Sequence, residues 1–207
     1  MLRYPVLEGR HVALEALGSD HIDELLEAAA DRTTFAFTNV PADRDAMENY
    51  VTTLLDDHRA GRALPFVQRA VSLAGRPIVG CTRFMDLRYS FARRIGDEIV
   101  PDEVEIGGTW LSSRVQRTGV NTEAKMLLLR HAFETWRVQR VAICTDERNE
   151  RSRQAIERIG AHFEGVLRRH RPSTAAGEAG LLRNTAAYSV TIDDWPAVES
   201  RLVGLLR

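Results

Sequence analysis

Six consecutive residues, Gln116-Arg117-Thr118-Gly119-Val120-Asn121, form the stretch best suited to chemistry. They lie between an apolar, β-prone run and a segment whose apolar residues recur at helical spacing, which indicates a strand-to-helix turn. The first amides of a helix lack partners within the helix, and the positive end of the helix dipole is there, so a phosphate suits this turn. Gly119 permits close approach of the backbone, and Arg114 and Arg117 could reach terminal phosphates. An ordinary glycine turn explains the same residues. The spacing is neither G-x-G-x-x-G nor G-x-x-x-x-G-K, which disfavours nicotinamide and nucleoside triphosphate ligands.

Strands and helices on either side must position this turn. The run from 104 to 111 predicts a strand, and Asn121 or Thr122 is expected to cap a helix that extends to about Trp136. A short buried strand over 138–144 follows, and Asn149 then opens a second helix that Gly160 closes. These elements make one right-handed βαβ unit with parallel strands. Its ligand is expected beyond the carboxyl ends of the two strands, at the 112–121 and 145–152 turns.

The rest of the chain predicts further strands on both sides of this unit. Apolar periodicity indicates strands at 11–17, 64–73, 78–85, 161–171 and 184–192, with helices near 22–29, 43–58 and after 194. The connection from 86 to 103 is long and polar, so it is either functional or disordered. The element order β-α-α-β-β-β-α-β-α-β-β-α predicts an α/β fold of the α+β type. Its mixed sheet is expected to be mostly antiparallel with one parallel pair, in one domain over 1–207.

Composition excludes several kinds of protein. The net charge is −1 and both signs are scattered along the chain, so a nucleic-acid surface is not expected. Cys81 and Cys144 lie in apolar runs with no metal-ligand spacing, which indicates reduced thiols and no bound metal. No apolar segment is long enough for a signal core or a membrane span, so a cytoplasmic protein is predicted. Lys125 is the one lysine among the basic residues, which we interpret as codon bias toward arginine.

The spaced motifs around the turn resemble a known family. Gln116-x-x-Gly119-x-Asn121, between a strand and a helix, resembles the pyrophosphate-binding motif of the GNAT superfamily of acetyl-coenzyme A dependent N-acetyltransferases. The downstream series is similar to the branch that contains the RimJ and RimL ribosomal-protein N-terminal acetyltransferases. The agreement covers Asn121-Thr122-Glu123-Ala124-Lys125, Thr145-Asp146-Glu147-Arg148-Asn149-Glu150-Arg151-Ser152, Ile156-Glu157-Arg158-Ile159-Gly160-Ala161 and Glu164-Gly165. The resemblance is most specific over 104–170, and it implies the GNAT acyl-CoA N-acyltransferase fold, in which the parallel strand pair is splayed.

The resemblance also implies a role for particular residues. The backbone around the turn would hold the pyrophosphate, the strand ending at Leu111 would pair with the pantetheine arm, and Asn149 would hydrogen-bond that arm. An ordinary helix cap is the alternative role of Asn149, and the two roles are compatible. Gly107-Gly108 would create a strand bulge that frees an amide for the acetyl carbonyl. The implied coenzyme contacts are Trp110, Leu111, Gln116, Arg117, Thr118, Gly119, Val120, Asn121, Thr122, Asn149 and Ser152.

Acetyl transfer to an amine needs a base, because an ammonium group is not a nucleophile. Glu105 is the predicted base, acting directly or through water, and a structural ion pair is the alternative. Ser152 is predicted to face the coenzyme sulfur. The tyrosine that often serves as general acid in the superfamily falls at Ile156, so that role passes to Ser152, to Tyr188 or to no side chain. Asn121 also departs from the glycine or alanine of many relatives.

The acceptor is the least constrained feature. The acidic residues Asp97, Glu98, Asp102 and Glu103 could attract a cationic amine, although a solvated loop explains them too. Three functions stay open: acetylation of a protein N-terminus, acetylation of a small amine, and coenzyme A binding without catalysis. The expected partners are acetyl-coenzyme A and an amine acceptor, with no nucleic acid and no membrane, and a homodimer is left open.

Overall fold

An eight-stranded sheet is the centre of the computed structural model, which describes residues 2–175 and 177–207. The strands are β1 (Leu7–Glu8), β2 (Val12–Ala16), β3 (Ala63–Ala70), β4 (Ile78–Arg88), β5 (Arg94–Ile95), β6 (Glu98–Ile99), β7 (Glu103–Leu111), β8 (Arg140–Asp146), β9 (His162–Pro172) and β10 (Leu182–Thr191). The helices are α1 (Ile22–Ala28), α2 (Arg44–Arg59), α3 (Gly119–Arg130), α4 (Glu150–Arg158) and α5 (Trp195–Leu205). The sheet order is β1-β2-β3-β4-β7-β8-β10-β9, and β5 and β6 form a separate small hairpin.

The strands β7 and β8 form the parallel pair. They pair over three positions, from Glu103 opposite Arg140 to Glu105 opposite Ala142, while every other recorded pairing of strands is antiparallel. Beyond Glu105 the two strands continue to Leu111 and Asp146 without pairing to each other. The sheet is therefore open between the carboxyl halves of β7 and β8.

Hydrophobic side chains pack against both faces of the sheet. One core joins α3 and α5 to Val104, Ile106 and other inward residues of the strands. The second core joins α1 and α2 to Val67, Cys81 and Trp110 on the opposite face. Val104 and Ile106 of β7 face α3. Because side chains alternate along a strand, Glu105 between them points away from α3.

The order of the long elements agrees with the prediction, and three local expectations need correction. The segment 86–103 contains the β5–β6 hairpin, and β4 continues through Arg88 instead of ending at 85. The helix α3 begins at Gly119 and is capped by Thr118, whose hydroxyl accepts from the Val120 N–H at 3.3 Å. Asn121 and Thr122 therefore lie within the first turn of the helix, so the expected caps were wrong. Among the described residues, no helix has both the length and the apolar character that a membrane crossing requires.

Strand β9 closes one edge of the sheet and pairs on one side with β10. The side chains of Arg168, Arg169 and His170 are exposed there. Arg169 has a φ of 46°, close to a register shift in the β9–β10 pairing. This edge is thus irregular and basic along its last third.

Candidate active site

The predicted phosphate turn leads from β7 into α3. A short 3₁₀ turn over Ser113–Val115 follows β7, and Arg117 then takes a left-handed conformation with φ of 62°. The backbone of Thr118 is extended, and the first amides of α3 lack partners within the helix, while the Val120 N–H donates to the Thr118 hydroxyl. A Cβ atom on Gly119 would lie 2.7 Å from the His11 ring, so only glycine fits there. Arg117 is exposed, whereas Arg114 lies 3.8 Å from the Glu27 carboxylate.

Helix α4 begins at the carboxyl end of β8. The Asn149 Oδ1 atom accepts from the Ser152 N–H at 3.1 Å, so the predicted cap is confirmed. This bond uses the amide oxygen and leaves the Asn149 NH₂ group available as a donor. Ser152 is partly buried in the first turn. Both predicted residues therefore stand beside the opening between β7 and β8.

The α1–α2 strap, defined as residues 31–40, crosses near this opening. Arg151 donates to the Thr34 carbonyl at 2.6 Å and to the Gln116 Oε1 atom at 3.1 Å. The Gln116 NH₂ group donates to the Thr34 hydroxyl and to the Leu111 carbonyl, each at 3.0 Å. The Thr174 hydroxyl donates to the Phe37 carbonyl at 2.7 Å. The strap thus joins the phosphate turn, α4 and the β9–β10 connection.

Glu105 lies in a groove of about 440 Å³ on the sheet face opposite α3. The carboxylate is 4% exposed and is held by Arg171 through bonds of 2.9 and 2.8 Å, one to each oxygen. Arg171 also binds Asp86 at 2.5 Å. Both roles predicted for Glu105 remain geometrically compatible, because each carboxylate oxygen has a second lone pair.

Cys144 lines the same groove. Burial raises the pKa of its thiol to about 12, and the neighbouring Glu105 carboxylate adds to the effect. The thiolate is the nucleophilic form of cysteine, so this side chain is inert near neutral pH. Cys144 is therefore not suited to act as a nucleophile in this groove.

The predicted bulge is present in β7. Cys81 pairs with Trp110 and Arg83 with Gly107, so β7 contains one more residue than β4 across this interval. Gly108 has a φ of 58°. A Cβ atom on this residue would lie 2.7 Å from the Arg83 guanidinium. Behind the bulge, the Lys125 ammonium donates to the Thr109 hydroxyl at 2.7 Å, and that hydroxyl shares a 2.8 Å bond with Thr82.

Some predicted residues are engaged elsewhere. Tyr188 is fully buried, and its hydroxyl donates to Glu157 at 2.8 Å and accepts from Arg153 at 3.0 Å, which argues against an acid role. Asp102 is buried with Arg93, and Glu103 pairs with Arg140. These two carboxylates do not form a free acidic patch. Burial lowers the pKa of His131 to about 4, so this imidazole is neutral near pH 7.

Three residues of the site were not predicted from the sequence. Arg171 is hydrogen-bonded to the Glu105 carboxylate, and Lys125 donates to the Thr109 hydroxyl beside the bulge. The Glu123 carboxylate accepts from the backbone N–H groups of Arg10, His11 and Val12 at 2.6 to 2.9 Å. Glu123 and Lys125 lie within one spaced motif and Arg171 lies near another, which was the signal available for predicting them. Their partners are distant in sequence.

An open parallel strand pair, with a helix amino terminus at its mouth, defines the class of fold as that of the GNAT acetyltransferases. The family model described as Acetyltransferase (GNAT) domain matches residues 11–162, and the chain therefore belongs to this family. The fold and family predicted from the sequence are confirmed.

Particular relatives agree with this membership. YdaF of Bacillus subtilis, whose name describes it as a candidate ribosomal N-acetyltransferase, is 41% identical over 61 residues. That match spans 30% of this chain and 33% of YdaF. A crystal structure of a candidate acetyltransferase from T. thermophilus is 32% identical, covers 100% of both chains and has a TM-score of 0.80. Mycobacterium smegmatis RimJ, solved in complex with CoA-disulfide, shares the fold with 20% identity and a TM-score of 0.71, over 94% of this chain and 88% of RimJ.

Proposed function

We propose that this chain transfers an acetyl group from acetyl-coenzyme A to a primary amine, and that a protein N-terminus is its acceptor. The observation that carries the proposal is the opening between β7 and β8, with the α3 turn on one side and the Glu105 groove on the sheet face opposite α3. A donor bound along the opening and an acceptor bound in the groove would come into contact between the separated ends of β7 and β8. The name of YdaF, which describes a ribosomal N-acetyltransferase, supports the choice of a protein acceptor.

The donor would be held by the residues that the motifs single out. The amides of the 116–121 turn would bind the pyrophosphate, and Asn149 would donate its NH₂ group to the pantetheine arm. The strand residues Trp110 and Leu111 would present backbone groups along the same arm.

The transfer would proceed by direct attack. Glu105, alone or through a water molecule, takes the proton of the acceptor ammonium, and the free amine attacks the thioester carbonyl. The bulge at Gly107–Gly108 supplies an amide to the developing oxyanion. The departing thiolate receives a proton from Ser152 or from solvent, and the second proton that the nitrogen loses in forming the amide returns to Ser152 or passes to solvent. Because Arg171 holds both carboxylate oxygens, Glu105 acts after this clamp shifts or through a water molecule beside it.

Thiol release from acetyl-coenzyme A, measured with a panel of peptides and small amines, tests the function. We expect peptides with free N-termini to be acetylated, with the acetyl group found on the α-amine by mass spectrometry. Preference for a small amine would replace the proposed acceptor. Tight coenzyme binding without turnover on any amine would identify a non-catalytic binding module.

The Glu105→Gln variant tests the base. We expect its rate to fall by about 10²-fold or more at neutral pH and much less at high pH, where the amine is already deprotonated. Glu103→Gln is the matched control, since Glu103 lines the same groove two residues away and is ion-paired with Arg140. An unchanged pH profile in Glu105→Gln would remove this residue from the base role.

We also place the protein in the cytoplasm, where its two free cysteines, Cys81 and Cys144, would remain reduced. The absence of nucleic-acid partners and the homodimer stay predictions.

A further inference from the structure

Lys125 is exceptional in both sequence and structure. It is the one lysine of the chain, and all the other residues in the combined count of 28 lysines and arginines are arginine. Codon bias explains the arginines but leaves unexplained why this position is lysine. Arginine and lysine differ because the ammonium is compact and can lose its proton, whereas the guanidinium stays charged. A buried position that keeps a lysine therefore points to a need for an amine.

The amine lies directly behind the strand bulge. Lys125 is 6% exposed in the second turn of α3, and its Nζ atom donates to the Thr109 hydroxyl at 2.7 Å. Thr109 is the residue after Gly108 in the bulged part of β7, and Thr82 of β4 binds the same hydroxyl at 2.8 Å. Two elements, α3 and β4, thus fix the side chain of one bulge residue.

We propose that Lys125 is a positioning residue for acetyl transfer: through Thr109 it fixes the bulge whose freed amide meets the acetyl carbonyl. This inference rests on the proposed function. The amine also provides positive charge behind the bulge, on the side from which a developing oxyanion would be stabilised.

The charge state of this amine is sensitive to its surroundings. Burial lowers the pKa of Lys125 to about 7, and the negative charge of Glu105 on β7 opposes that shift. Thr109 and Thr82 face the amine with hydroxyl groups, while the Glu123 carboxylate on α3 is directed to the N–H groups of residues 10–12. Because the folded pKa lies below that of an exposed lysine, folding is disfavoured where the amine is protonated, and stability rises as pH increases above 7. Protonation of this buried amine therefore costs the fold stability.

A methionine of similar length separates catalysis from stability. We expect Lys125→Met to melt no lower than the wild type at pH 7, to bind coenzyme A within about twofold, and to lose at least tenfold in kcat. The kcat–pH profile of the wild type should contain an ionisation near neutrality that the variant lacks. A normal kcat, or a loss of kcat that only follows a loss of folded protein, overturns the proposal.

Thr109→Val supplies an independent arm, because it removes the hydroxyl and keeps a β-branched strand residue. We expect its kcat to fall as in Lys125→Met, and the double variant to be no slower than either single variant, because the two side chains act as one unit. Additive losses would contradict this coupling. If Lys125→Met does not fold, Thr109→Val decides, and a wild-type kcat in that variant overturns the proposal.

The single lysine also allows direct observation. With isotope-labelled lysine, the εCH₂ group of Lys125 gives one NMR signal, which we expect acetyl-coenzyme A to shift more than coenzyme A does. If calorimetry shows coenzyme binding but the two ligands shift the signal equally or not at all, the proposed role of Lys125 is overturned. The proposed function would stand in that case. Failure of coenzyme A to bind at all would overturn the proposed function, and this inference with it.

Discussion

Single residues at this site combine a structural contact with a proposed chemical role. The amide oxygen of Asn149 caps α4 while its NH₂ group stays available, and Glu105 is both an ion-pair partner of Arg171 and the proposed base. Such double roles make alanine substitutions ambiguous, because they remove both functions at once. Variants that retain one function are more informative.

Asn149→Asp is such a variant. Aspartate caps a helix as well as asparagine does, so the melting temperature should change little. It cannot donate to the pantetheine arm, and we expect coenzyme A affinity to fall by about tenfold or more, measured by calorimetry. Asn149→Ala, the comparison, should lose both coenzyme affinity and about 1 kcal/mol of stability. Wild-type affinity in Asn149→Asp would leave Asn149 with its cap role only.

The family resemblance predicted Glu105, Asn149 and Ser152 as site residues. Asn149 and Ser152 belong to a spaced motif, and Glu105 lies on the strand that precedes the phosphate turn. The resemblance did not predict that Arg171 clamps Glu105 or that Glu123 binds the backbone of residues 10–12, since these partners are 66 and more than 110 positions apart. Spacing along one chain indicates which residues share an element. It does not indicate which charged side chains pair across elements.

The position of helix α3 depends on its junction with the residues that lead into β2. Glu123 is buried and accepts three backbone N–H groups from the start of that strand, and a Cβ atom on Gly9 would lie 2.3 Å from the carboxylate. Charge-assisted bonds of this kind are the stronger ones in proteins. The junction therefore sets the position of the helix whose amino terminus forms the phosphate turn.

Replacing Glu123 by glutamine should weaken this junction. The amide has one acceptor oxygen in place of two and no charge, so we expect a loss of about 2–4 kcal/mol in the free energy of unfolding, measured with denaturant. Glu48→Gln, on the exposed surface of α2, is the control and should change stability by less than about 0.5 kcal/mol. A similar small change in both variants would show that the junction contributes little.

The elements themselves were predicted with uneven success. Strong apolar periodicity located β7, α3, β8 and α4, whereas the cap of α3 was placed three to four residues late. Both Thr118 and Asn121 are acceptable caps by residue type, and the left-handed conformation of Arg117 decides between them. The β5–β6 hairpin was missed because each strand has two residues, too few to show alternation.

The α1–α2 strap links the phosphate turn, α4 and the β9–β10 connection beside the opening. It keeps the Gln116 side chain on the Leu111 carbonyl, a group that the proposed pantetheine contact would use. Coenzyme binding then has to displace these bonds, and the displacement lowers the apparent affinity.

Thr34→Val tests this effect of the strap. It removes the hydroxyl that accepts from Gln116 and leaves Arg151 unchanged, so we expect coenzyme A to bind about two- to fivefold more tightly by calorimetry. Thr38→Val lies in the same strap outside these bonds and should bind as the wild type does. Equal or weaker binding in Thr34→Val would show that the strap does not oppose the coenzyme.

The overall architecture was predictable because motif spacing and element order agree with one family. The groove that contains Glu105 was not, because its lining residues come from β4, β7, β8, β9 and β10, which are separate parts of the chain. Whether acidic residues such as Asp102 and Glu103 are free or paired depends on arginines that only the fold brings near.

The basic edge of β9 restricts how two copies of this chain can associate. Extension of the sheet across two copies would place β9 antiparallel to itself, and a pairing centred on residues 168–170 would bring arginines of both copies opposite each other. Like charges at facing strand positions are destabilising, and charged edges oppose such pairing. This basic part of the β9 edge is thus protected against growth into a continuous two-chain sheet.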